Sequence, residues 1–223
     1  MTLKPIAAAA FLAFASLANA ATVTQNLGPA TLTYDNSTPF GGLSNSNWSS
    51  FEWTVPGAAS VVSTGALVTK SVQLPTFTLT ANSGYTLNGV FSSFLGNLAY
   101  TEIGGATTGI LAYADVALNG GPAVSLSGGV GWTSLNSGPG FDIGIFGSSA
   151  ATPNLGDYTS ITISNASIVL SATGGSFSSI QANSQNKLSF GYQASPVPEP
   201  ESYALLLAGL GVMGFLARRR QAR

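Results

Sequence analysis

Apolar and polar residues alternate with a period of two along much of the chain. Thr31-Leu32-Thr33-Tyr34, Phe51-Glu52-Trp53-Thr54-Val55, Phe77-Thr78-Leu79-Thr80, Val124-Ser125-Leu126-Ser127 and Ser160-Ile161-Thr162-Ile163-Ser164 all follow it. In an extended chain this pattern sends one set of side chains to each face, so each run reads as a half-buried strand. Thr, Val, Ile and aromatic residues suit a pleated surface, and the polar partners are mostly uncharged Ser and Thr. Asn88-Gly89 and Asn119-Gly120-Gly121 read as tight hairpin turns, while Ser137-Gly138-Pro139-Gly140 and Gly174-Gly175 break longer connections. From Ala21 to Ser195 no segment carries the period of an amphipathic helix. About ten such strands predict an all-β domain, an antiparallel β-sandwich that is jelly-roll-like in size.

The pattern changes at both ends. Lys4, an apolar run from Ile6 to Leu17, and the small-x-small triplet Ala18-Asn19-Ala20 form a cleavable N-terminal signal helix over residues 1–20. The mature chain then begins at Ala21, with Ala18 and Ala20 at the cleavage site. At the other end, Tyr203 to Ala217 contains no charge and is followed by Arg218-Arg219-Arg220. As a helix rising about 1.5 Å per residue, this stretch spans roughly 22 Å, short of a hydrocarbon core of about 30 Å. Thinning of the bilayer and snorkelling of the arginines allow it to insert as a single transmembrane helix. Each Arg costs about 2.5–3.5 kcal/mol at the membrane centre, so the three stay cytoplasmic and the rest of the chain lies on the far side. The organisation is a signal peptide (1–20), a β-sandwich ectodomain (21–195), a motif and linker (196–202), a transmembrane helix (203–217) and a basic tail (218–223).

Between domain and helix lies Val197-Pro198-Glu199-Pro200, held extended by two prolines that lack amide protons. This motif, the apolar helix and the basic stop, in that order, resemble the PEP-CTERM tail of Gram-negative secreted proteins. The resemblance runs from Val197 to Arg223. It implies that an exosortase, a membrane-embedded transpeptidase-like protease, handles the chain. It also implies an association with exopolysaccharide or biofilm. The expected route is export, transient anchoring in the inner membrane with the domain periplasmic, and then release to the outer surface or beyond.

Composition narrows the remaining functions. There is no Cys in a chain with an export signal, so packing alone must hold the fold. From Ala21 to Ser195 the charges are Asp35, Glu52, Glu102, Asp115, Asp142 and Asp157 against Lys70 and Lys187, with no Arg or His. Two lysines cannot displace a phosphate counterion layer, so no nucleic acid is expected as a partner. Without His or Cys there is no Ser-His-Asp or Cys-His catalysis and no ordinary zinc site. No cofactor is expected and no metal is assigned. Asp35-Asn36, Asp142 and Asp157 lie near turns and offer calcium ligands, but not at EF-hand spacing. Six carboxylates leave glycoside hydrolysis as a formal alternative, although nothing in their spacing pairs two of them.

Trp48 stands out among the tryptophans because it sits in the polar run Ser44-Asn45-Ser46-Asn47-Trp48-Ser49-Ser50. Such a loop Trp can tuck over the end of the sandwich; if exposed, its indole could stack on a sugar ring while Asn45 and Asn47 bond its hydroxyls, which makes a carbohydrate-binding module for neutral glycan the second reading. Trp53, in phase with Phe51 and Val55, and Trp132 are assigned to the core. The leading reading is an exported, non-enzymatic cell-surface or matrix protein.

Overall fold

The computed structural model describes residues 21–127, 140–183, 185–197 and 200–221. Their strands are β1 (Thr22–Asn26), β2 (Ala30–Asp35), β3 (Asn45–Ser46), β4 (Ser50–Thr54), β5 (Val61–Ser63), β6 (Val68–Gln73), β7 (Phe77–Ala81), β8 (Tyr85–Ile103), β9 (Thr107–Leu118), β10 (Val124–Ser127), β11 (Phe141–Ala151), β12 (Asp157–Tyr158), β13 (Ser160–Thr173), β14 (Phe177–Gln181) and β15 (Lys187–Pro196). A single helix, α1 (Pro200–Gln221), follows. Signal residues 1–20, with Ala18 and Ala20, and Trp132 lie outside the described set.

Each of two antiparallel sheets is built around one long strand. In the first, β13 takes β7 and then β6 along one edge and β9 along the other, giving the order β1-β2-β7-β13-β9-β10 with β6 beside β7. In the second, the 19-residue β8 takes β15 and β14 end to end on one edge and β12 and β11 on the other. β4 and β3 extend the sheet beyond β15, and β5 extends it beyond β14.

One aromatic cluster joins the sheets. Phe77 of the first packs against Phe190, Phe51 and Trp53 of the second at ring-centroid distances of 5.0, 5.3 and 5.6 Å. Tyr34 of β2 meets the edge of Trp53 at 5.5 Å. Such pairs contribute roughly 0.5–1.5 kcal/mol each beyond burial alone. The alternation read in β2 and β4 faces this core: Leu32, Tyr34, Phe51 and Trp53 are buried, and Thr31, Thr33 and Glu52 are only partly so. The β-sandwich is thereby present, with more strands than the roughly ten expected, because each long central strand is flanked by short ones.

Asn88-Gly89 is not a hairpin turn. Both residues lie inside β8, where Gly89 adopts φ +73° and a Cβ there would come within 2.6 Å of the Gln193 side chain. The glycine serves a bulge against β15, whose register shifts between Gly191 and Gln193. Asn119-Gly120 does turn the β9–β10 hairpin, with both residues at positive φ. Gly175 carries the chain from β13 to β14, and there a Cβ would lie 2.1 Å from the Ile103 carbonyl oxygen, so no other residue fits.

Tyr192 on β15 is 3% exposed, and burial pushes its phenol up to about 12. The neutral form is the one that folding favours. Its contribution is therefore complete below pH 10, the ordinary tyrosine value, and is lost as pH rises toward 12. Stability to urea is expected to fall by on the order of 2 kcal/mol across that window, since one pKa unit is worth about 1.4 kcal/mol. Tyr192→Phe should flatten much of the slope in an alkaline series of urea melts.

Candidate functional site

The C-terminal tail begins where the last strand ends. β15 stays paired to Pro196, opposite Tyr85, and the Val197 amide donates to the Gly84 carbonyl at 2.8 Å. Val197 is thus both the end of the sheet and the first residue of the sorting motif. Pro198 and Glu199 lie outside the described residues. Pro200 opens α1, at a position where its missing amide proton breaks no helical bond. The uncharged stretch expected as a helix from Tyr203 is thus extended at both ends, through Arg218, Arg219 and Arg220 as far as Gln221.

Leu205, Leu206 and Leu207 are 74%, 60% and 68% exposed. Consecutive helical residues point about 100° apart, so these three cover the helix circumference, with Leu210, Val212 and Met213 also exposed. Among the described side chains of the helix, 203–213 and 218, all are exposed, so none buries an apolar stripe on the sandwich. Arg218 is exposed at its C-terminal end, where a cation also complements the helix dipole. Among the described residues, however, no helix is long and apolar enough to cross a membrane. The helix expected over 203–217 is therefore present, but it is not a clear membrane span. Tyr203, Gly209 and Gly211 dilute a stretch that is already shorter than the roughly 20 residues a span requires.

Trp48 sits at the tip of the β3–β4 hairpin and is 68% exposed. Its indole lies against the backbone of Gly28, where a Cβ would be 3.0 Å from Trp48 Cε2 and 3.2 Å from Nε1. Two side chains fix this seat: Asn26 Oδ1 accepts from the Gly28 amide at 2.8 Å, and Asn82 Nδ2 donates to the Gly28 carbonyl at 2.7 Å. Asn45 is exposed on β3. Asn47 differs from expectation, because its Oδ1 accepts from the Ser49 and Ser50 amides, both at 2.9 Å, and so closes the turn. Trp53 is fully buried, as its phase with Phe51 implies.

Two of the six carboxylates do come together. Glu102 on β8 faces Asp142 on β11 in direct register, with Ser178 of β14 opposite Glu102 on the other side. Forty residues of sequence hide this pair. Glu102 is 1% exposed, and its Oε1 accepts from the Thr108 amide at 2.7 Å and hydroxyl at 2.8 Å, which ties the start of β9 to β8. Its Oε2 and the Ser178 hydroxyl are buried without a hydrogen-bond partner. Asp142 Oδ2 accepts from the Tyr100 hydroxyl at 3.1 Å, and burial followed by that bond pushes the Tyr100 phenol up. Glu102 thus links β8 to β9, and Asp142 links β11 to Tyr100 of β8. Elsewhere the Ser37 hydroxyl and amide hold the Asp35 carboxyl below its ordinary range, and Ser125 and Asn165 do the same for Asp115. Among the described residues no group of three His, Cys, Asp or Glu side chains converges as a metal site.

A β-sandwich bearing an apolar, arginine-terminated tail defines an all-β domain with an appended C-terminal sorting signal. That signal is a PEP-CTERM protein-sorting motif, matched over residues 196–220, and it marks an exported protein that passes through the membrane. No curated protein matches the chain. Among solved structures, one described as "Structure of infectious bursal disease virus Gx strain" is similar at 13% identity over 68% of this chain, with a TM-score of 0.20. The chain spans 44% of the length of that protein.

Proposed function

We propose that this chain is an exported, non-catalytic surface or matrix protein whose tail is gripped at Val197 to Pro200 by an exosortase-type protease while α1 lies in the bilayer. The observation that carries the reading is a helix whose apolar residues from Tyr203 to Met213 stand exposed, following the last strand of the sandwich. A lipid environment covers such a helix, and three arginines stop it on the cytoplasmic side. The helix reaches about 33 Å at 1.5 Å per residue when its charged end is included, which suits a marginal, short-lived anchor. Association with exopolysaccharide or biofilm follows from the family resemblance of the tail. Fractionation of cells making the full chain or a chain ending at Val197 tests this. The full chain should pass through the inner membrane to the outer surface or medium, while the truncated chain stays soluble in the periplasm. Identical distributions would count against a sorting role.

The exposed, seated indole of Trp48 favours a second reading, binding of neutral glycan. A domain with so few charges matches an uncharged polymer better than an acidic one. On affinity electrophoresis in neutral polysaccharide, Trp48→Ala should weaken retardation about tenfold or more, as for a stacking hot spot. Absence of retardation in the unaltered protein would remove this reading.

A further inference from the structure

Between the sheets, bounded on one side by Phe91 and Phe190 of the aromatic cluster, lies a cleft of about 310 Å³. It exists because small side chains face each other there. On β9 the inward positions after Ile110 are Ala112 and Ala114, and on β8 Ser93 stands between Phe91 and Leu95. Larger side chains at those places would close the sandwich, as Phe51 and Phe77 close it elsewhere. Leu, Ile, Phe and Ala make up most of the lining, and no charged residue takes part.

Polar groups are few. Ser93, Ser167 and Tyr113 are among the lining residues, and Thr152 adds a hydroxyl whose Oγ1 accepts the Phe91 amide proton at 3.0 Å and still has its own proton to donate. Dry apolar cavities of about 150 Å³ lined by Leu, Ile and Phe take up benzene rather than water. This cleft is twice that size and falls within the range of ligand sites, which combine an apolar body with a few polar groups that fix orientation.

We propose that the cleft binds a small neutral amphiphile: an apolar body with a hydroxyl or carbonyl head that pairs with Ser93 or Thr152. At about 30 Å³ per water-sized unit, the occupant has on the order of ten non-hydrogen atoms. An anionic head is excluded, because no cationic side chain lines the cleft and burial of an unpaired carboxylate is heavily penalised.

The test is calorimetric titration of the full-length protein with 1-octanol and with octanoate at neutral pH, repeated on Ser93→Leu and Ala114→Leu. Octanol should bind saturably at one site, with octanoate at least tenfold weaker. Both variants should abolish octanol binding and unfold at a higher temperature than the unliganded parent, because the added methyl groups fill the cleft. Ser93→Ala, nearly the size of serine, serves if a leucine overpacks, and should weaken octanol several-fold through loss of the hydroxyl. No saturable octanol binding would overturn the proposal. So would equal affinity for octanoate, or octanol binding that survives in folded Ser93→Leu, which would place it on α1 or another surface.

Discussion

Phe77→Ala is expected to destabilise the sandwich by about 3–5 kcal/mol, the range for removing a buried aromatic ring. No other ring of the first sheet has so many partners. It meets Phe51, Trp53, Phe91 and Phe190, all from the second sheet, at 5.0 to 6.2 Å. Its loss empties the seam between the layers. Against a total stability of about 5–15 kcal/mol for an ordinary domain, this is a large fraction, and at about 2–4 °C per kcal/mol the melting midpoint should drop by roughly 6–20 °C. Ile143→Ala is the matched control, because Ile143 is an exposed apolar side chain on β11 and should change stability by no more than about 0.5 kcal/mol. Equal effects of the two substitutions would mean that the sheets do not share the core described.

The second large effect is all-or-none. Glu199→Ala, with both prolines kept, should leave the tail attached, because the extended segment remains but its charged recognition group is gone. Changing Arg218, Arg219 and Arg220 to serine attacks a different step. Holding three arginines out of the membrane centre is worth about 7.5–10.5 kcal/mol in orientation, and without them the helix can slip through rather than stop. Immunoblots should show full-length chain accumulating in the first variant and scrambled membrane topology in the second. Normal trimming of either would separate the motif from the role assigned to it.

Much of the fold is legible in the period of two. β2, β4, β7 and β10 fall where Leu32, Phe51, Phe77 and Leu126 alternate with polar neighbours, and Trp53 is buried as its phase requires. The central strand β8 is not legible. Gly89 bulges the strand yet keeps its phase, since Leu87 and Phe91 are both buried. A register shift against β11 does break the phase, so that inward positions change from Phe91 and Leu95 to Leu98 and Glu102. A glycine that serves a bulge looks, in sequence, like one that makes a turn.

The tail was legible because its signal is local: motif, apolar run and arginines are contiguous. The helix bounds differed, at Pro200 and Gln221 rather than Tyr203 and Ala217, and its start did so because proline is as much at home in a first helical turn as in a linker. The polar run around Trp48 left open whether its indole is tucked or exposed, and it is exposed. It could not show that Asn47 is committed to its own turn, because any Asn in such a run can bond either backbone or ligand. The pairing of Glu102 with Asp142 depends on the register between β8 and β11, which no local pattern encodes.

The most direct test is the intact mass of the protein recovered from cells with and without the sorting protease. Cells that have the enzyme should yield a chain ending between Val197 and Glu201, with the apolar helix removed. Cells lacking it should yield one that still ends at Arg223. The same full-length mass from both would contradict the account.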